Sequence, residues 1–109
     1  MPNGKFPRNA ASKLGFTFKQ LAPSLTVDKI GNPYSASSLM GLAAVLDIAK
    51  PKQKIFFVSY GSGAGSDGFI FETTKSITQK RNKTISVLKQ FENKIYISYS
   101  EYLRKTHTI

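Results

Sequence analysis

The amino-acid sequence predicts a protein of the α/β class, and three features carry this prediction. Residues 39–48 form an apolar segment of helical length, residues 55–58 and 69–71 form two short apolar runs, and residues 95–103 carry tyrosine, isoleucine and leucine at three- and four-residue spacing. These features indicate a helix, then two strands, then a terminal amphipathic helix.

Size, charge and composition limit the function classes. With 109 residues the chain forms one domain at most. Its formal net charge is +10, but the basic residues are spread along the chain without a nucleic-acid-binding motif, so a generally basic surface is favoured over nucleic-acid binding. The same charge suits a polyanionic ligand such as a CoA. No apolar run reaches the roughly 18 residues of a membrane span and no signal peptide is visible, so we expect a cytoplasmic protein.

The first thirty residues predict one short helix and leave a second element open. Pro7 suits a first helical turn, and Gly15 is typical of the residue that follows a helix end. Pro23 interrupts the next stretch, and residues 24–27, Ser-Leu-Thr-Val, have the composition of a short strand.

A second helix is predicted after the turn at residues 31–34, Gly-Asn-Pro-Tyr. Residues 39–48 are apolar on almost every side, which is typical of a helix that is buried all round. Small residues at its N-terminal end favour close packing, and Pro51 ends it.

The two apolar runs flank residues 61–68, GSGAGSDG, and predict a glycine-rich hairpin. The continuous run 55–58, Ile-Phe-Phe-Val, is typical of a strand buried on both faces. The glycines allow the backbone to approach a ligand or another chain closely, although the loop alone is equally compatible with a flexible hairpin. It is neither a Walker A loop nor a dinucleotide fingerprint, because no Gly-Lys-Ser/Thr follows and Ser66 replaces the third glycine.

Beyond Glu72 the sequence becomes polar and basic. Residues 85–91 predict a short helix, and residues 95–103 predict the terminal amphipathic helix. We therefore divide the chain into residues 1–74, which carry the helix and the hairpin, and residues 75–109, a helical C-terminal extension of the same domain.

Few side chains offer catalytic chemistry. His107 lies almost at the end of the chain, the six acidic residues show no paired spacing, and there is no cysteine or metal-ligand set.

Two ligand-facing loops remain. Asn32 could donate to a carbonyl oxygen, and Ser62 could reach an anion with its hydroxyl and N–H. Lys5 could meet a phosphate, but residue type alone equally allows a solvated lysine, and for Asn32 it favours a role in its own turn.

Five stretches together resemble the C-terminal part of the archaeal-type hydroxymethylglutaryl-CoA synthases, a family of thiolase-fold condensing enzymes. They are MPNGKFP, IGNPYSASS, GLAAVLDIAK, VSYGSGAGSDGF and KIYISYSEYLRK, in this order between Met1 and Ile109. The resemblance implies the C-terminal half of a thiolase-like fold, in which residues 1–74 are a partial thiolase-like C-terminal domain with a buried helix against a mixed sheet.

The resemblance also implies a reaction. In the family, an acetyl group from acetyl-CoA is loaded on a cysteine, deprotonated with help from a glutamate and added to the ketone of acetoacetyl-CoA. Hydrolysis then releases 3-hydroxy-3-methylglutaryl-CoA for the mevalonate pathway, and no cofactor beyond these CoA substrates is implied. Lys5 resembles the lysine that contacts CoA, and Asn9 occupies a place near the acyl ligand. Asn32 resembles the asparagine that polarises the acyl carbonyl, and Ser62 the serine that holds the ligand's carboxylate or carbonyl end.

This sequence departs from the family pattern because all three catalytic residues fall outside it. The family's cysteine and glutamate lie in the N-terminal half, and its histidine comes two residues before the proline of PNGKFP. We therefore expect a chain that is inactive alone and works with a separately encoded N-terminal half; the alternative is a non-catalytic remnant or ligand-binding module. The family further implies subunit pairing, and an acetoacetyl-CoA thiolase and a small zinc-ribbon scaffold protein as partners.

Overall fold

The computed structural model describes residues 3–61 and 63–107. Within these ranges the chain forms seven short α-helices and one sheet of two strands, which confirms the α/β class. The elements are α1 (Lys5–Lys13), α2 (Phe18–Leu21), α3 (Val27–Ile30), α4 (Ser37–Leu46), β1 (Lys54–Tyr60), β2 (Ser66–Glu72), α5 (Ser76–Arg81), α6 (Val87–Phe91) and α7 (Tyr99–Lys105). None of these helices is long and apolar enough to cross a membrane.

The first helix, α1, forms where the sequence predicts it. Pro7 lies in its first turn, and Gly15 follows its end with a φ of 84°. This left-handed conformation is one that glycine adopts without strain, so Gly15 stops the helix and turns the chain.

The short strand that the composition of residues 24–27 leaves open does not form, because the chain there leaves one turn and enters a helix. Ala22–Ser24 is a 3-10 turn, and Val27 begins α3. The Ser24 hydroxyl donates to the Leu21 carbonyl at 2.8 Å. Such local side-chain bonds favour turns over strand pairing, and no neighbouring strand in the described part of the chain offers a ladder here.

Helix α4 packs through its small residues. Gly41 and Ala44 are its buried members, and a Cβ on Gly41 would lie only 3.1 Å from the Ser24 carbonyl oxygen. Leu39, in contrast, is 65% exposed. The expectation of a helix buried on all sides is therefore not met, because the other elements cover only part of the surface of α4.

The sheet consists of one antiparallel pair, with Lys54 opposite Glu72 and Tyr60 opposite Ser66. The predicted mixed sheet is wrong for the described residues, which contain no parallel pair. Residues of β1 alternate between exposed and half-buried, so the prediction of a strand buried on both faces is also wrong. The physical reason is that α4 covers one face of β1 and leaves the other open.

Three phenylalanines gather on the face of the sheet that α4 covers in part, where Phe69 and Phe71 remain 50% and 41% exposed. The Phe57 ring lies 6.1 Å from Phe69 and 6.2 Å from Phe71, measured between ring centroids. On the same face, the Ser59 hydroxyl lies 3.3 Å from the Ser38 hydroxyl in the first turn of α4. The ring contacts join the two strands, and the contact between Ser38 and Ser59 attaches the loop end of the hairpin to α4.

The C-terminal segment is anchored on the end of α4. The Val87 N–H donates to the Asp47 carboxylate at 2.6 Å, and the Arg81 guanidinium donates to the Ala49 carbonyl. These bonds satisfy polar groups where α4 ends and α6 begins. The short helix predicted for residues 85–91 is confirmed as α6.

The terminal helix is shorter than predicted. It begins at Tyr99, because the Ser98 hydroxyl accepts the Glu101 N–H at 3.2 Å and caps the helix there. Residues 94–98 have no regular structure. Helix α5 lies in the polar stretch after Glu72, where no apolar periodicity indicates a helix.

Thr73 joins the end of β2 to the turn that precedes β1. Its side chain is buried, and its hydroxyl donates to the Lys50 carbonyl at 2.5 Å and accepts the Gln53 N–H at 2.9 Å. The backbone N–H of Lys52 donates to the Thr73 carbonyl at 2.7 Å. One residue thus closes the base of the hairpin.

Replacing Thr73 by valine should open this base. Thr73→Val keeps the shape but leaves the Lys50 carbonyl and the Gln53 N–H without their partner, which costs about 1–3 kcal/mol of unfolding free energy. Amide hydrogen exchange at Lys52 and Gln53 should become faster. Thr74→Val, at the next and exposed position, is the control; equal effects of the two variants would contradict this role.

Candidate functional site

Two of the predicted site residues lie on α1. Lys5 and Asn9 are one helical turn apart and therefore share a face of the helix. Both side chains are exposed. The Lys5 backbone N–H donates to the Asn3 side-chain oxygen at 2.9 Å, which supports the first turn. The structure thus presents an ammonium and an amide side by side on an open helix face.

Arg8 holds α1 against the segment that leads to Asn32. Its guanidinium nitrogen lies 2.5 Å from an Asp28 carboxylate oxygen, and its central carbon lies 5.7 Å from the centre of the Phe18 ring. Gly4 is buried beside this ion pair, and a Cβ there would collide with both Arg8 and Asp28. Because α3 ends directly before the Asn32 turn, the ion pair connects two predicted site segments.

Asn32 stabilises its own turn. Its side-chain oxygen accepts the Tyr34 N–H at 3.0 Å, and Tyr34 has a φ of 56°, a value uncommon for a bulky residue. The side-chain oxygen of Asn32 therefore supports the turn of Asn32 itself, as the residue type favours. A role toward a ligand carbonyl would use the donor end of the exposed amide.

Ser62 lies outside the described residues, but the loop on either side of it is described. The Gly61 N–H donates to the Gly65 carbonyl at 2.9 Å, and the Ala64 N–H donates to the Gly61 carbonyl at 3.1 Å. The Ser66 hydroxyl donates to the Ser59 carbonyl at 3.1 Å. These bonds close the ends of the loop into a tight turn.

The contact between Ser38 and Ser59 brings the glycine loop next to the start of α4. Ser38 lies six residues after Asn32, and Ser59 lies two residues before the loop. The loop end of the hairpin therefore lies beside the first turn of α4, the helix that follows the Asn32 turn.

Sequence reasoning missed the residues that position this site. Arg8 pairs with Asp28 across 20 positions, and Ser38 pairs with Ser59 across 21 positions. Pairs this far apart produce no periodic pattern or motif in the sequence, because each partner by itself is an ordinary polar residue. Within residues 3–61 and 63–107, no three histidine, aspartate or glutamate side chains are grouped as a metal site would require.

Comparison with known proteins finds similar proteins in archaea. No family profile matches the chain. Individual hydroxymethylglutaryl-CoA synthases of archaea do match it in sequence. Identity is 52% with the protein of Methanosarcina barkeri, 48% with that of Methanopyrus kandleri and 46% with that of Archaeoglobus fulgidus. These matches cover 94%, 94% and 100% of this chain. The chain is similar, along nearly all of its length, to one segment of these archaeal hydroxymethylglutaryl-CoA synthases.

The chain spans 30%, 29% and 32% of the length of these relatives. The resemblance to hydroxymethylglutaryl-CoA synthases, which the five sequence stretches indicate, is thus confirmed. In this chain, the ion pair between Arg8 and Asp28 links the helix that carries Lys5 to the segment that leads to the Asn32 turn.

The ion pair should contribute a small, salt-sensitive stabilisation. Both side chains are 41% exposed, so a double-mutant cycle with Arg8→Gln and Asp28→Asn should give a coupling energy of about 0.5–1 kcal/mol in urea unfolding. One molar salt should reduce the coupling, because the pair is partly solvated. The exposed pair of Lys105 and Glu101, 3.4 Å apart on α7, is the matched control. A coupling of zero, or one unaffected by salt, would contradict the assignment of Arg8 as the link.

Proposed function

We propose that this chain supplies CoA- and acyl-contacting elements of a hydroxymethylglutaryl-CoA synthase. In this proposal the complete enzyme condenses acetyl-CoA with acetoacetyl-CoA to 3-hydroxy-3-methylglutaryl-CoA in the cytoplasm. The observation that carries the proposal is the 46–52% identity with archaeal proteins of that name along 94–100% of this chain.

The chemistry of the exposed residues supports the proposal. The Lys5 ammonium is a point charge suited to a CoA phosphate, and the net charge of +10 attracts such a polyanion at long range. Asn32 supplies amide donors, and a donor placed at a thioester carbonyl stabilises the negative charge that condensation builds on its oxygen. Asn9 and Ser62 complete the proposed set of ligand contacts.

The bond-making steps are assigned to residues outside this sequence. The 109 residues contain no cysteine and one histidine, His107, so the chain cannot supply the thiol nucleophile that the family's reaction uses. A second proposal from another class is a ligand-binding module or remnant that binds CoA thioesters without turnover. The two proposals differ in whether activity appears when the remainder of a synthase is present.

Lys5 should contribute to CoA affinity. Lys5→Ala removes a charge-assisted hydrogen bond and should weaken acetoacetyl-CoA binding about tenfold in titration calorimetry. Lys13→Ala is the matched control, because Lys13 is an exposed lysine at the far end of the same helix. Equal losses for the two variants would indicate general charge attraction and would argue against a specific contact.

The pure chain should not turn over substrate. A free-thiol assay with acetyl-CoA and acetoacetyl-CoA reports released CoA, and this chain adds no thiol of its own because it has no cysteine; the remainder alone gives the baseline for the mixture. We expect no release from the chain alone, and release when it is mixed with the unmatched remainder of the Methanosarcina barkeri synthase. Turnover by the pure chain would refute the assignment of catalysis to outside residues. An assembled but inactive mixture would favour the binding-module proposal.

A further inference from the structure

A cleft with a mainly apolar lining lies between three segments of the chain. One wall comes from α2, α3 and the 3-10 turn between them, a second from the end of α4 and the residues just after it, and a third from α6. The cleft holds about 520 Å³, which falls within the roughly 300–1,000 Å³ of small-molecule sites. Lys5, Asn9 and Asn32 are not among the residues that line it, so the cleft does not include these proposed ligand contacts.

The floor of the cleft is formed by buried apolar side chains. Leu25, Ala44 and Phe91 are 7%, 5% and 9% exposed, and each lines the cleft from a different segment. They are three of the four apolar residues that are buried in the described part of the chain. Because closely packed side chains keep their positions, this floor holds its shape before a ligand binds.

The rim of the cleft exposes further apolar side chains. Phe18, Ile48 and Leu88 line it and are 62%, 55% and 49% exposed. The Phe18 ring is held from behind by Arg8, whose guanidinium carbon lies 5.7 Å from the ring centre and which pairs with Asp28. A ligand with an apolar chain would therefore gain contact with the floor and also cover the rim.

The charged residues of the cleft are cationic. Lys19 and Lys29 line it, and no aspartate or glutamate is found among the described residues of the lining. The Asp28 carboxylate, next to Lys29 in sequence, is held in the ion pair with α1. Another cleft, between α4 and the end of β2, holds about 330 Å³ and carries Glu72 as well as Lys80, so it lacks this preference for one sign of charge. Two ammonium groups beside an apolar cavity suit a molecule with an apolar chain and an anionic head.

We propose that this cleft binds a single-chain anionic amphiphile, such as a fatty acid or an alkyl phosphate. The chain lies on the floor of the cleft, and the carboxylate or phosphate accepts hydrogen bonds from Lys19 and Lys29. The inference rests on the cleft alone and goes beyond the proposed CoA contacts. Because the ligand touches three segments at once, its binding should raise the Tm of the chain.

The test is calorimetric titration of the full chain with decanoate, decyl phosphate and uncharged decanol. Both anions should bind more tightly than decanol, and the ratio of their affinities identifies the preferred head group. Shortening decanoate to octanoate should weaken binding about 15-fold, because each buried methylene contributes about fourfold. In methyl NMR spectra, decanoate should shift the signals of Leu25, Ile48 and Leu88. It should not shift Leu39, which is exposed on α4 outside the cleft.

A substitution at the rim locates the apolar chain of the ligand. Ile48→Glu places a carboxylate at the apolar rim and should weaken decanoate binding about tenfold, through lost apolar contact and repulsion of the anion. Ile85→Glu is the matched control, because Ile85 is also an exposed isoleucine, 63% accessible, and does not line the cleft. It should leave the affinity unchanged.

Substitution of the two lysines locates the head group. The double variant Lys19→Gln and Lys29→Gln should weaken decanoate binding about tenfold and leave decanol binding unchanged, because only the anion uses the ammonium groups. Lys50→Gln with Lys83→Gln removes the same charge from two exposed lysines outside the cleft and is the control.

Four outcomes would overturn the proposal: no saturable binding of either anion, an affinity independent of chain length, equal losses in a variant and its control, or displacement of decanoate by excess CoA. Displacement would place the amphiphile at the CoA contacts. CoA binding is measured on the same samples without amphiphile. Decanoate binding without CoA binding would therefore reject the proposed function and retain the cleft, and CoA binding without decanoate binding would do the reverse.

Discussion

The close approach of α4 to the 3-10 turn at Ser24 is the contact on which the rest of the structure depends. A Cβ on Gly41 would lie 3.1 Å from the Ser24 carbonyl oxygen, so a side chain there would push the N-terminal helices away from α4. The same helix bonds the hairpin at its start, through Ser38, and the C-terminal segment at its end, through Asp47. One helix of ten residues thus supports three otherwise separate parts of the chain.

This arrangement explains how the described part of the chain is held together with little core. No described side chain is fully buried, so hydrophobic packing alone does not hold the segments in place. Long-range polar contacts do part of that work: Arg8 with Asp28, Ser38 with Ser59, and Thr73 with the turn before β1. The proposed ligand contacts Lys5, Asn9 and Asn32 lie on exposed surfaces, and apolar side chains of α4 and the hairpin, such as Leu39 and Ile70, are exposed as well.

The sequence predicted local elements where local chemistry decides them. Gly15 ends α1 and the segment around Val87 forms α6, because helix propensity and a terminating glycine act over a few neighbouring residues. Prediction failed where burial decides. The run 55–58 has the composition of a fully buried strand, but burial depends on what covers each face, and here one face stays open. For the site, Lys5, Asn9 and Asn32 were proposed from motifs, whereas Arg8 and Asp28 carried no local signal.

The sequence by itself determined the α/β class, the positions of α1 and α6, the similarity to hydroxymethylglutaryl-CoA synthases and the absence of a cysteine among the 109 residues. Each of these depends on residue types and on short-range order. Only the tertiary structure shows that α4 is covered on part of its surface, that β1 has one open face, and that an ion pair connects the helix of Lys5 to the turn of Asn32. These features are decided by contacts between residues 20 or more positions apart. Their energy depends on distance and solvent exposure in the folded chain, which the order of residues does not display.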